Sequence, residues 1–228
     1  MIPLKDDNPT SSRPIVTYFL IGMCVVVFLI QLGSQSYRTG QLFYSYGLIP
    51  SVLMGHDQLP MDLYAVPAYV TIFSSMFMHG GWIHLIGNMW YMKIFADNIE
   101  DNLGSRNFII FYILCGIGAA MAQVFMDTHS QVPMVGASGA IGGVLGAYLI
   151  NHPNARVLVL IPYFIITIIK IRALYVLGFW FILQFISSGG GVAYAAHIGG
   201  FVCGMVLILF FNKKVKRKTK IIKGPWTK

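Results

Sequence analysis

Val135-Gly136-Ala137-Ser138-Gly139-Ala140-Ile141-Gly142-Gly143-Val144-Leu145-Gly146-Ala147-Tyr148-Leu149-Ile150 is an uncharged run in which nine of sixteen residues are Gly, Ala or Ser. Small side chains let neighbouring helix backbones approach closely, and Gly139/Gly143 and Gly142/Gly146 have the small-xxx-small spacing that favours such contacts in lipid. The run is also shorter than the roughly 20 residues that cross a bilayer. It reads as a short central helix around which longer ones pack.

The rest of the chain supplies those longer helices. Of 228 residues, 56% are apolar and only 11% charged, against roughly 25% charged in a soluble domain. The solvent is therefore lipid, and the expected fold is an all-α polytopic membrane protein of six spans. Working outward from the central run, the expected spans are Ile15–Leu32, Trp82 to about Ile99, Asn107–Met126, Val135 to about Ile150, Ala173–Ile186 and about Val192–Phe211. Gly116/Ala120 and Gly200/Gly204 repeat the small-residue spacing on the third and sixth. The connection from Gly33 to Gly81 is rich in aromatic residues and is expected on or partly in the membrane surface. Residues 157–169 are expected as an interfacial connection, because Pro162, Lys170 and Arg172 interrupt the apolar pattern. The domain reading is a cytoplasmic N-terminus at 1–14, one helical domain at 15–212 and a basic cytoplasmic tail at 213–228. Ile15–Leu32 is read as an uncleaved span, since Gln31-Leu32-Gly33-Ser34-Gln35 is a poor signal-peptide cleavage site.

With the N-terminus inside, fifteen of the sixteen Lys and Arg residues fall on the inner side and only Arg38 on the outer. This positive-inside asymmetry sets the expected orientation, with both termini cytoplasmic in a plasma membrane. The net charge of +8 then reports topology and attraction of the tail to anionic lipid, not nucleic-acid binding. Cys24, Cys115 and Cys203 each lie in a separate apolar run without metal-ligand spacing and read as packing residues.

Four polar residues stand out at membrane depth, where unsatisfied polar groups are costly. His84 and Asn88 lie one turn apart on the second span, Ser138 near the outer end of the fourth and His197 in the outer third of the sixth. Serine hydrolysis needs a nucleophile, a base and donors for the oxyanion. Ser138 with His197 supplies the first two, and His84, Asn88 and the Ser138 N–H are candidates for the third. No Asp or Glu falls in the outer half of a span, which favours a dyad over a triad. A metal-dependent alternative would use His79, His84 and His197. The HExxH pattern is absent, however, and His79 and His84 would lie about 140° apart on a helix. No span carries the acidic residue expected of an ion relay.

His79-Gly80-Gly81-Trp82-Ile83-His84-Leu85-Ile86-Gly87-Asn88, Gly136-Ala137-Ser138-Gly139-Ala140 and Ala196-His197-Ile198-Gly199-Gly200 with Gly204 resemble, in order, the three signature motifs of rhomboid intramembrane serine proteases. The resemblance covers nearly the whole chain. It implies a six-helix bundle whose fourth helix starts below the surface, leaving a water-filled cavity, and a cofactor-free endopeptidase acting on transmembrane-helix substrates. It also implies Ser138 as nucleophile, His197 as general base, His84, Asn88 and Gly136 at the oxyanion site, and His79 at the cavity mouth. Two positions depart from the family pattern. Gly142 stands where members often carry an aromatic residue packed on the catalytic histidine, so another group must hold that ring. Val70-Thr71 replaces a Trp-Arg pair sometimes found ahead of the first histidine.

Overall fold

The computed structural model describes residues 1–35, 40–162, 166–186 and 193–211. Among them are six long helices: α1 (Ile15–Gly33), α2 (Trp82–Leu103), α3 (Ser105–Met126), α4 (Ser138–Asn151), α5 (Ala173–Ile186) and α6 (Tyr194–Phe211). The basic tail from Lys213 to Lys228, Arg38 and the expected start of the sixth span at Val192 lie outside the described residues.

Three helices, α1, α3 and α6, are long and apolar enough to cross a membrane. Their outward faces carry bare apolar side chains, such as Ile15, Phe19 and Ile30 on α1 and Leu209 and Phe210 on α6, as expected where lipid replaces water. The other three are informative in their shortfalls. α2 has 22 residues but is diluted by His84, Asn88, Lys93, Asp97, Glu100 and Asp101. α4 and α5 have 14 residues each, about 21 Å of helix against a hydrocarbon core of about 30 Å.

α4 is the axis of the bundle. Every residue from Gly139 to Tyr148 is buried, with α2, α3, α5 and α6 packed around it. Its closest neighbour is α6: a methyl group at Gly200 would overlap the Gly139 carbonyl, and one at Gly204 the Gly143 carbonyl. Helices gain no hydrophobic drive from one another in lipid, so such backbone contact is a main source of cohesion. Because α4 is short and begins at Ser138, the space above its first turn stays open.

The chain is not wholly helical. β1 (Ile2–Asp6), β2 (Arg156–Pro162) and β3 (Ile166–Arg172) form an antiparallel sheet in the order β1-β2-β3, where an interfacial connection and a featureless N-terminal segment were expected. The reason is local. Arg156-Val157-Leu158-Val159-Leu160-Ile161 is rich in β-branched residues, which suit a pleated surface. The alternate residues Val157 and Val159 are fully buried in the bundle core, and a helix cannot present that period-two face.

The sheet sits at the end of the bundle opposite the Ser138 turn. Trp90 Nε1 donates to the Pro3 carbonyl at 2.6 Å and the Tyr148 hydroxyl to Asp6 Oδ2 at 2.6 Å. α1 starts after Pro14 with no side-chain cap of its own. Buried Glu100 of α2 supplies one, accepting from the Val16 and Thr17 amides at 2.9 and 2.8 Å. It accepts also from the Thr17 and Ser105 hydroxyls at 2.8 and 2.5 Å. A carboxylate is favoured there because the first amides of a helix lack acceptors and carry a partial positive charge.

At the other end, the long connection packs onto the bundle. Leu48 and Met134 exchange backbone hydrogen bonds of 3.0 and 2.8 Å, and the Gly136 amide donates to the Ser75 carbonyl at 2.8 Å. These bonds hold the strand-like approach to α4.

Candidate active site

A cavity of about 840 Å³ opens at this second end, lined among others by Trp82, His84, Asn88, Gly136, Ser138 and His197. Its depth follows from the late start of α4, and its polar groups come from α2, α4 and α6.

Ser138 is the first residue of α4, and its amide belongs to the turn that has no intrahelical acceptor. Its Oγ lies 2.8 Å from His197 Nε2. His197 Nδ1 lies 2.8 Å from Gln184 Oε1 of α5, and Gln184 Nε2 donates to the Trp180 carbonyl at 2.7 Å. The Trp180 ring lies against the imidazole, with centroids 5.9 Å apart and planes at 33°, and on its other neighbour Phe201 at 5.9 Å. Trp180 thus occupies the place that Gly142 leaves vacant. A Cβ added at 142 would stand 3.7 Å from the Trp180 ring and 3.0 Å from the His197 carbonyl.

His84 and Asn88 face the cavity from α2. The Gly80 amide donates to His84 Nδ1 over a long 3.4 Å. If Nδ1 accepts, the ring proton is on Nε2. That nitrogen points at Gly136, where an added Cβ would come within 2.7 Å of it and within 3.5 Å of Ser138 Oγ. Asn88 is buried, and its Nδ2 has no hydrogen-bond partner among the described residues. An unpaired buried amide nitrogen is uncommon enough to call for an explanation.

Gly136 lies beside His84 and Ser138, where the resemblance implies it, whereas His79 is away from the cavity mouth. Gly136 offers no amide to the cavity, because its N–H is bound to Ser75. It supplies room instead, at φ +130°, a backbone conformation that L side chains rarely adopt. His79 is fully buried and does not line the cavity. Its amide donates to Gln31 Oε1 at 3.1 Å, Gln31 Nε2 returns a bond to its carbonyl at 3.2 Å, and its ring meets His84 edge-on at 5.2 Å. It backs His84 from behind because Gly80-Gly81 turns the chain before α2 begins.

Gln184 and Trp180 were missed in the sequence reading, although a signal existed. Gln184 is the lone amide in Ala173–Ile186 and no charged or hydroxyl-bearing aliphatic residue accompanies it there. A polar side chain in a lipid-facing helix is a functional candidate by default.

The class defined by these features is a membrane-embedded helical bundle holding a serine–histidine pair in an open cavity. The Rhomboid domain family model matches residues 67–214, and the chain belongs to the rhomboid family. It is 31% identical over 138 residues to RHOMBOID-like protein 5 of Arabidopsis thaliana, covering 60% of this chain and 42% of that protein. It is 28% identical to Rhomboid protease GluP of Bacillus subtilis, over 85% of this chain and 34% of the relative. With Rhomboid protein 1, mitochondrial, of Saccharomyces cerevisiae the identity is 27%, over 67% and 45%. The chain spans less than half the length of these relatives.

Proposed function

We propose that the chain is an intramembrane serine endopeptidase that cleaves transmembrane-helix substrates. The 2.8 Å contact between Ser138 Oγ and His197 Nε2, at the floor of a cavity in a lipid-embedded bundle, carries this reading. His197 Nε2 takes the hydroxyl proton as Oγ bonds to the scissile carbonyl carbon, and the carbonyl electron pair moves onto oxygen. His84 Nε2–H, the unpaired Asn88 amide and the Ser138 N–H stabilise that oxyanion. Collapse breaks the C–N bond, and the imidazolium returns its proton to the leaving amine. Water from the cavity, deprotonated by His197, then releases the acyl group and restores Ser138. A helix in lipid has all its backbone groups bonded internally, so substrates must unwind locally. Gly, Pro or polar residues near the cavity-side interface favour this.

The same reading sets the cavity toward the outside of a plasma membrane, with both termini in the cytoplasm and the tail on anionic lipid. The charge asymmetry supports it: Lys5, Arg13, Arg106, Arg156, Lys170 and Arg172 all belong to segments at the sheet end. Both ring nitrogens of His197 are engaged, Nε2 with Ser138 Oγ and Nδ1 with Gln184 Oε1, which supports the serine mechanism over a His79/His84/His197 metal site.

The test is cleavage of a labelled single-span substrate by the purified chain beside Ser138→Ala. The parent is expected to cut near the cavity-side interface, and the variant to lose cleavage while keeping its melting temperature. Residual cleavage above a few percent of the parent would require a different nucleophile. Substrate capture without cleavage by the parent would instead make it a binding protein.

A further inference from the structure

We infer that Gln184 is a positioning residue that fixes the tautomer of His197, so that the serine–histidine pair operates as a Ser138–His197–Gln184 relay. The inference rests on the serine-protease reading above. A neutral imidazole carries one proton, and His197 can act as a base toward Ser138 only if that proton is on Nδ1. Something must decide between the two nitrogens.

The decision traces back to a group with no freedom. The Trp180 backbone carbonyl can only accept a hydrogen bond, and a side-chain amide nitrogen can only donate one. The amide group 2.7 Å from that carbonyl is therefore the NH₂ of Gln184. This forces the other end of the amide, Oε1, toward His197 Nδ1 at 2.8 Å. Oε1 has no proton to give, so Nδ1 must be the donor, and the Nε2 lone pair is left facing Ser138 Oγ at 2.8 Å. Gln184 and Trp180 are four residues apart on α5, so one helical turn holds the imidazole by its edge through the amide and by its face through the indole. The ring meets a third surface in Tyr194, edge-on at 6.3 Å.

A neutral amide suits this place. It accepts from Nδ1–H in both the imidazole and the imidazolium, and so stabilises the cation formed as Ser138 attacks. A carboxylate would do so more strongly, at the cost of burying a charge at membrane depth. The absence of an acidic residue at this level, which pointed to a dyad, thus leaves room for an uncharged third member.

A merely structural Gln184 would tie α5 to α6 without affecting where the proton sits, and the two roles separate experimentally. The full chain is labelled with ¹⁵N-imidazole histidine and reconstituted in nanodiscs as the parent, Gln184→Met and Gln184→Glu. The His197 signals are assigned by their loss in His197→Asn. The parent is expected to show Nδ1 protonated and Nε2 bare at neutral pH. Gln184→Met, of similar length but without acceptor or donor, is expected to mix the tautomers and lower kcat about 10- to 100-fold with KM little changed. Gln184→Glu, which keeps an acceptor, is expected to restore the Nδ1–H form and most of kcat. An unchanged tautomer in Gln184→Met overturns the proposal, whether kcat stays high or falls together with melting temperature. If the parent cleaves no substrate, the protease reading fails, while a tautomer shift in Gln184→Met still upholds the hold of Gln184 on His197.

Discussion

The two ends of the bundle use their polar groups differently, although each keeps a buried atom with no partner among the described residues, Asn98 Oδ1 at the sheet end and Asn88 Nδ2 at the cavity end. At the sheet end Glu100 accepts four hydrogen bonds. Asp101 takes the amides and hydroxyls of Ser11 and Ser12, and Asp6 holds the Tyr148 hydroxyl. At the cavity end the Asn88 amide nitrogen and His79 Nε2 have no partner among the described residues, and Ser138 and His197, 2.8 Å apart, border the open cavity. Leaving a buried donor unpaired costs about 1–3 kcal/mol, a cost that the Asn88 amide carries at the cavity end. The difference separates polar groups that tie segments together, such as Glu100, from cavity-lining ones, such as Asn88, whose nitrogen has no partner among the described residues.

That contrast can be broken by exchanging the expected effects of substitution at each end. Asn88→Ala removes a donor that bonds nothing among the described residues, so melting temperature is expected to hold while kcat drops about 100- to 1000-fold. A raised KM at constant kcat would assign Asn88 to substrate binding. Glu100→Ala is the converse. It orphans two amides at the start of α1 and should cost about 2–3 kcal/mol, read as a lower unfolding midpoint with kcat per folded molecule unchanged. A large kcat loss at constant stability would dissolve the distinction between the ends.

Gly142 tests the border between the two regions. With the His197 carbonyl 3.0 Å and the Trp180 ring 3.7 Å from an added Cβ, Gly142→Phe overpacks, costing about 1–3 kcal/mol. Melting temperature and kcat are expected to fall together. Adding Trp180→Ala should recover part of the stability, because the two aromatic rings compete for one space. Higher kcat at unchanged stability in the single variant would show the ring of His197 to be loosely held.

The smallest effect is expected at the sheet end. Burial raises the Asp6 carboxyl above its ordinary value of 3.8, opposed by the Tyr148 hydrogen bond. Between the unfolded and folded pKa values the native state binds the extra proton, so stability falls as pH rises through that window and the cost persists at neutral pH. Asp6→Asn keeps an acceptor for Tyr148 and should raise the melting temperature slightly at pH 7 with no gain near pH 3. Equal effects at both pH values would point to packing.

Much of this was readable in the residues. Ala173–Ile186 was anticipated as the core of the fifth span and is helical throughout, because a continuous apolar run begins directly after Arg172. α2 runs to Leu103, beyond the expected Ile99, because its acidic last turns find partners in α1 and the N-terminal segment that hydropathy cannot register. The sheet escaped notice for a similar reason: β1 is a polar-apolar pentapeptide, Ile2–Asp6, whose strand state depends on pairing with residues 157–160, far along the chain.

At the site, spacing on single helices was enough to nominate Ser138, His197, His84 and Asn88, since each lies in a local motif and a polar group in an apolar helix is conspicuous. Membership of the bundle and the central place of α4 follow equally from composition and small-residue spacing, which act through neighbours three or four positions apart. What depended on tertiary structure was every relation between helices. That Gly136 gives space and not an N–H depends on Ser75 from another segment. That Gly142 is compensated depends on Trp180, and the proton on His197 is steered by an amide whose own orientation is set by a carbonyl one turn below it. Hydrogen-bond direction is a property of paired groups at about 3 Å, and a linear sequence states which groups exist but not which of them meet.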